Sequence, residues 1–219
     1  MGIQYNFSAG PGGREEFLRV GIDNFRQWSF NTGKERERRG IAMRDIREKI
    51  CEVKDFPKPG IGFKDITPVV LDASTFKNSV DALASWAEPR RPQLIVGVES
   101  RGYLFAAPLA YKLGLGMALI RKKGKLPRRT VSVQAPNEYA VEFFEMHDDA
   151  VRAGQRVIII DDLIATGSSS ISSIELVQAL GGQAAGFGAL VELSFLNGVE
   201  AIRRAHPEVE VFSVIRFES

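Results

Sequence analysis

A chain of 219 residues with 44% apolar side chains and 26% charged ones has material for one sizeable core and a short appendage. Its formal charge of +2 is too small for a surface built to bind nucleic acid or membrane, and no apolar run approaches the roughly 18 residues of a membrane helix. The single cysteine excludes an internal disulfide, and the N-terminus lacks the pattern of a secretory leader, so a cytoplasmic location is expected.

Residues 1–42 differ in character from the rest of the chain and are read as an N-terminal extension of unassigned role. MGIQYNFSAGPGG is rich in turn formers, and EEFLRVGIDNFRQW spaces Phe17, Val20, Ile22, Phe25 and Trp28 loosely, as in a short docking helix. GKERERRG is a charge run, expected to be a solvated tether. The main unit, residues 43–219, is expected to open with a helix lining up Met43, Ile46, Ile50 and Val53 on one face. Cys51 falls in that pattern and is read as an inert buried thiol.

Ser74 is placed to cap a helix that buries Phe76, Val80, Leu83 and Ala87. LIVGV at 94–98 reads as a buried strand, GYLFAAPLAYKLG as a helix ending at Gly114, and MALI at 117–120 as the next strand. VIIID from residue 157 gives a further strand, then a helix carrying Ile171, Ile174, Val177 and Leu180, stopped by Gly181 and Gly182. GFGALVEL and VEVFSVIRF supply the last strands, with a helix over about 196–206 between them. This alternation predicts an α/β fold, a mainly parallel sheet with helices on both faces.

The chemistry gathers in VIIIDDLIATGSSS, residues 157–170. In an open parallel sheet, ligands bind beyond the carboxyl ends of the strands, where Asp161 and Asp162 are expected to fall. The small residues 165–170 lead into a helix N-terminus, a geometry that turns backbone N–H groups toward an anion. A phosphate suits the loop, and vicinal hydroxyls or a hydrated divalent cation suit the carboxylates. Together they describe a sugar phosphate. An Asp pair before Thr and Ser is often no more than a turn and a helix cap, but the apolar run ahead of it favours the ligand reading. No Gly-Lys-Ser/Thr comes after it, so this is not a Walker loop. His147 and His206 are read as surface residues rather than ligands.

VIIIDDLIATGSSS resembles the phosphoribosyl-pyrophosphate signature of the type I phosphoribosyltransferases, whose usual form ends Ala-Thr-Gly-Gly-Thr. FPKPGIGFKDITPVV (56–70), GVESRGYLFAAPLA (97–110), IRKKGKLP (120–127) and NEYA (137–140) extend the resemblance over residues 43–219, toward the branch that acts on adenine. The resemblance implies the family's α/β fold, with a flap hairpin and a small hood. It also implies transfer of the 5-phosphoribosyl group of phosphoribosyl pyrophosphate to adenine, giving AMP and pyrophosphate in purine salvage. A homodimer is implied as well, as is Mg²⁺ held mainly through substrate and water rather than by a protein ligand set.

The resemblance further implies residue roles. Asp161 and Asp162 would hold the ribose hydroxyls, and Ala165, Thr166, Gly167, Ser168 and Ser169 would cradle the 5′-phosphate. Ser100, Arg101 and Gly102 match the pyrophosphate loop, where the family places an unusual backbone turn and the arginine forks onto phosphate. Phe63 would stack on the base, Leu163 would cover its other face, and backbone near residues 61–64, Lys64 included, would read its edge. Arg121, Lys122 and Lys125 open the flap and would reach pyrophosphate; Glu138 and Tyr139 match its Glu-Tyr pair, with Glu138 handling the purine proton. The chain departs from the family at Ser168, Ala140 and Arg128–Arg129, where glycine is usual. Two other readings use the same residues: a transferase acting on another base, and a non-catalytic phosphoribosyl-pyrophosphate-binding regulator. A regulator has no need of Glu138 or the basic flap.

Overall fold

Val157, Ile158, Ile159 and Ile160 are all fully buried, although successive side chains of a strand point to opposite faces. A strand does this only when both faces of its sheet are covered. The computed structural model describes residues 33–56, 58–60, 62–135 and 142–219, with side chains from Gly40 onward, and shows how that cover is built. Ile61, Glu138, Tyr139, Ala140 and the aromatic residues expected to dock the arm lie outside the described residues.

The chain divides into two compact units, Met1–Gly40 and Ile41–Ser219. Of the first, residues 33–40 are described, and they are helical. The helix α1, Gly33–Lys49, therefore starts ten residues before the expected Met43. The charge run forms helix rather than a tether because Glu, Arg and Lys are all good helix formers and no breaker interrupts them. Being polar all round, the run shows no apolar period that could have revealed the helix.

Within Ile41–Ser219, β1 (Cys51–Val53) pairs antiparallel with β2 (Phe63–Asp65) as a small two-stranded hood. Helices α2 (Thr67–Leu71) and α3 (Ala73–Ala87) come next. The alternating part then runs β3 (Leu94–Val98), α4 (Tyr103–Leu113), β4 (Met117–Lys122), β5 (Thr130–Gln134), β6 (Phe143–His147) and β7 (Arg156–Ile164). It closes with α5 (Ser168–Ala179), β8 (Gln183–Leu193), α6 (Gly198–Ala205) and β9 (Val211–Phe217). The main sheet has the order β5-β6-β4-β3-β7-β8-β9, parallel from β4 through β9 and antiparallel where β6 joins β4 and β5.

One face carries Val96 and Ile159 against α5 and α6 through Ile174, Val177, Val199 and Ile202. The other carries Ile95 and Ile158 against Ile46 of α1 and against α3 and α4 through Leu83, Trp86, Phe105 and Leu109. Helices thus cover both faces, as expected. After β3 the chain moves outward to β4 and later returns to β7 on the other side of β3, so the strand order reverses between β3 and β7. Their carboxyl ends, Val98 and Ile164, border the crevice where such sheets take ligands.

Three local readings are corrected. Asp72, not Ser74, caps α3: its Oδ1 accepts from Ser74 N at 3.1 Å and Thr75 N at 2.9 Å, and the bond from the Thr75 amide, followed by that from the Ser74 hydroxyl, holds its pKa below the usual range. Cys51 is exposed, because the helix stops at Lys49 and the thiol falls on a short hood strand with little cover. His206 is buried rather than superficial, at the C-cap of α6, with Nδ1 3.7 Å from a Glu208 oxygen.

Candidate active site

The strand β7 runs through both aspartates to Ile164 instead of ending at them. Asp161 is 5% exposed and Asp162 6%, and both line a cleft at the carboxyl ends of β3 and β7. Around them the cleft gathers Glu99, Arg101, Lys122, Glu142, Leu163, Ala165, Thr166, Gly167 and Ser169. Asp161 Oδ1 accepts the Asp162 amide at 2.8 Å. Burial, then the neighbouring charge of Asp162, pushes the Asp161 carboxyl well above its ordinary pKa. Asp162 is also raised by burial, less so because the Arg101 guanidinium opposes it. Arg101 Nε lies 2.8 Å from Asp162 Oδ2, yet this oxygen receives no well-directed hydrogen bond.

The loop after the pair is shaped for an anion. Gly167 adopts φ +87°, a left-handed turn that glycine makes without strain, and α5 starts at Ser168. The left-handed position therefore falls on Gly167, and Ser168 sits where the helix needs negative φ, so serine fits in place of the usual glycine. Among the described residues, the amides of Ala165, Thr166 and Gly167 donate no hydrogen bond. These amides stand beside the N-terminal turn of α5, where the helix dipole adds positive potential.

Opposite lies the loop from Glu99 to Gly102. The Glu99–Ser100 peptide bond is cis. A Cβ on Gly102 would meet Val98 O at 2.6 Å, Ile160 O at 2.8 Å and Asp161 Cα at 2.9 Å, so glycine lets the start of α4 press against the acidic strand. Ser100 is exposed, and its carbonyl accepts the Tyr103 amide at 3.3 Å. Arg101, besides its contact with Asp162, holds its guanidinium 4.9 Å from the centre of the Phe63 ring. One side chain thus covers the aromatic face and neutralises a carboxylate. Phe63 also meets Phe56 edge-on at 5.1 Å. Lys64 does not line the cleft: its ammonium is 2.9 Å from Glu52 and 4.5 Å from the Phe217 ring.

The basic turn is ordered by two carboxylates that sequence reasoning passed over. Glu99 accepts from Arg121 Nε at 3.2 Å and the Lys122 amide at 3.0 Å, and it pairs with Lys125. Burial pushes Glu99 up, but these cations and donors outweigh it and leave its pKa lowered. Glu145, 4% exposed, accepts the amides of Gly124, Lys125 and Leu126 at 3.0, 3.1 and 3.0 Å. Lys122 Nζ lies 2.5 Å from Glu142 Oε1. A glutamate between Phe143, Phe144 and Met146 was the available signal for Glu145. Glu99 directly precedes Ser100 and Arg101 of the expected pyrophosphate loop. Arg128 and Arg129, the departures after Leu-Pro, pair with Asp149 and Asp148.

A mainly parallel sheet with paired acids and an anion-ready loop at its switch point defines a nucleotide- or sugar-phosphate-handling α/β enzyme. The sequence profile of the phosphoribosyl transferase domain matches residues 70–218. An adenine phosphoribosyltransferase of Caldicellulosiruptor saccharolyticus is 49% identical over 175 residues, 80% of this chain and 98% of that protein. The solved adenine phosphoribosyltransferase of Thermoanaerobacter pseudethanolicus is 46% identical, with a TM-score of 0.75 over 80% of this chain and 99% of its own. The Saccharomyces cerevisiae enzyme, solved with an imino-altritol bisphosphate and adenine, is 33% identical with a TM-score of 0.74, covering 80% of this chain and 99% of its own. The chain belongs to the phosphoribosyltransferase family, and within it to the adenine phosphoribosyltransferases.

Proposed function

We propose that this chain transfers the 5-phosphoribosyl group of phosphoribosyl pyrophosphate to adenine, releasing AMP and pyrophosphate in purine salvage. The observation that carries the reading is the pair of buried carboxylates, Asp161 and Asp162, running directly into a loop with three undonated amides. The first matches the ribose hydroxyls and the second the 5′-phosphate of one substrate.

In this reading the anomeric C–O bond breaks, pyrophosphate leaves with the bonding electrons, and a purine nitrogen forms the new bond at the anomeric carbon. Positive charge on the ribosyl group in the transition state is met by the acidic pair, and negative charge on the leaving group by Arg101, Arg121, Lys122 and Lys125. Arg101 would exchange Asp162 and the Phe63 ring for phosphate oxygens, which opens the aromatic face to adenine. Leu163, lining the cleft, would close the other side of the base. Glu138 would take the purine proton, and Tyr139 would support it from the flap. Among the described residues no cluster of His, Cys, Asp or Glu forms a metal cage. Mg²⁺ would be held mainly by substrate phosphates and water beside the carboxylates of Asp161 and Asp162, oxygen donors that suit a hard cation, and would supply charge neutralisation for the departing pyrophosphate.

The chain is proposed to act as a cytoplasmic homodimer. Leu104 and Tyr111, 41% and 89% exposed, lie seven residues apart on one face of α4 and offer apolar surface to a second copy. Residues 1–42 are proposed to be an accessory extension. No described helix is long and apolar enough to cross a membrane. The deciding experiment is AMP formation measured across a panel of nucleobases. Turnover with adenine far above other bases is expected; preference for another base would move the chain to a sister activity. Binding of phosphoribosyl pyrophosphate with no turnover on any base would make it a regulator.

A further inference from the structure

The phosphate loop has a backstop formed by another part of the chain. A Cβ on Gly198, the first residue of α6, would lie 2.2 Å from Ala165 O, 2.9 Å from Ala165 C and 2.9 Å from Gly167 N. From the other side, a Cβ on Gly167 would lie 2.7 Å from Gly198 O. Two glycine backbones are thus packed directly on each other, one of them in the anion loop.

The segment carrying Gly198 is held from both ends. Glu192, 4% exposed near the end of β8, accepts from Ser194 Oγ at 3.0 Å, Ser213 Oγ at 2.7 Å and Arg216 Nε at 3.2 Å, tying the chain leaving β8 to β9. Asn197 then turns the chain at φ +55°, a conformation that asparagine tolerates. Beyond Gly198, Val199 and Ile202 are buried in the same apolar cluster as Ile164 and Ile174. The loop is the softer partner, because the amides of Ala165, Thr166 and Gly167 have no hydrogen bond among the described residues.

We infer that Gly198 is a positioning residue for 5′-phosphate binding: by letting α6 abut the loop, it fixes the direction of the amides that receive the phosphate. This rests on the reading of residues 165–169 as the 5′-phosphate site. Any side chain at 198 must open its distance to the Ala165 carbonyl by more than about 1 Å to restore ordinary contact, and a displacement of even about 1 Å in a substrate-positioning element costs up to about a hundredfold.

The test uses the full chain carrying Gly198→Ala, with kcat, the KM for phosphoribosyl pyrophosphate, the affinity for ribose 5-phosphate and the melting temperature measured together. The KM should rise by at least about tenfold and ribose 5-phosphate affinity fall in parallel, while kcat at saturation changes by less than about threefold. Val199→Ala, the next residue, loosens the core without touching the loop and should leave the KM unchanged. Asn197→Ala strains the same segment without a clash and should raise the KM by about two- to fivefold, whereas Asn197→Gly should not; this pair decides the matter if Gly198→Ala fails to fold. A normal KM in both Gly198→Ala and Asn197→Ala, or an equal rise in Val199→Ala, overturns the inference. If the unmodified chain turns over without binding ribose 5-phosphate, the reading of the loop falls and takes the inference with it.

Discussion

Replacing Glu145 by alanine should remove the anion around which the turn between β4 and β5 is folded. Its Oε1 accepts three successive amides at 3.0–3.1 Å from a side chain only 4% exposed. A hydrogen bond to a charged acceptor contributes about 1.5–3 kcal/mol on its own, but three bonds sharing one oxygen, in a turn open to water, amount together to about 3 kcal/mol. For a chain of this size that lowers the melting temperature by about 6–12 °C, and Glu145→Gln, which keeps a neutral acceptor, should lose about half as much. Burial pushes the Glu145 pKa up, the donors outweigh it, and the net lowering means that its contribution is present at neutral pH and lost as pH falls through the depressed value. Because the turn carries Lys125 and comes directly after Lys122, the KM for phosphoribosyl pyrophosphate should rise by about tenfold in the alanine variant while that for adenine stays within about twofold. Thermal unfolding followed by circular dichroism and steady-state kinetics read both quantities. A melting temperature within about 1 °C of the unmodified chain and an unchanged KM would refute the reasoning.

Asp161→Asn should slow turnover by about a hundredfold while raising the melting temperature at pH 8. The Asp161 pKa is raised on folding, so its favourable contribution is complete in acid and lost as pH rises through the raised value; the stability gain of the variant should therefore vanish near pH 4, as melting curves across pH will show. Glu138→Gln should leave phosphoribosyl-pyrophosphate binding nearly intact and slow catalysis by about 10- to 1,000-fold, and unchanged turnover would remove Glu138 from the mechanism. A chain beginning at Met43 should fold and make AMP from adenine. A folded, inactive product of unchanged size by light scattering would place part of the arm in the active site.

Strands buried on both faces were legible because their apolar runs are continuous: LIVGV at 94–98 is β3 residue for residue. The acidic pair was legible because carboxylates at the end of such a run need a reason. The hood was not. Its strands have three residues each and pair across a gap with no periodicity, so Val53 and Cys51 were absorbed into the preceding helical pattern. Nor could sequence show that Arg101 rests on Phe63 or that Glu99 collects Arg121 and Lys125, since these contacts join residues 22 to 38 positions apart. The packing of Gly198 on Gly167 is likewise invisible in a residue string, where either glycine reads as a loop residue.

The position of β7 in the sheet grades how readily different parts of the cleft open. Its amides are bonded between β3 and β8, deep in a sheet covered on both faces, and they should exchange with solvent only on global unfolding. The β5–β6 pair instead hangs on β4 at Arg121↔Glu145 and Lys122↔Phe144. Sub-global openings that lift this pair would release the side of the cleft proposed to hold pyrophosphate while the side proposed to hold ribose and the 5′-phosphate stays folded. Hydrogen exchange should therefore be orders of magnitude faster across β5 and β6 than along β7. Such an ordering would let pyrophosphate depart through transient fraying of the sheet edge without disturbing the grip on AMP.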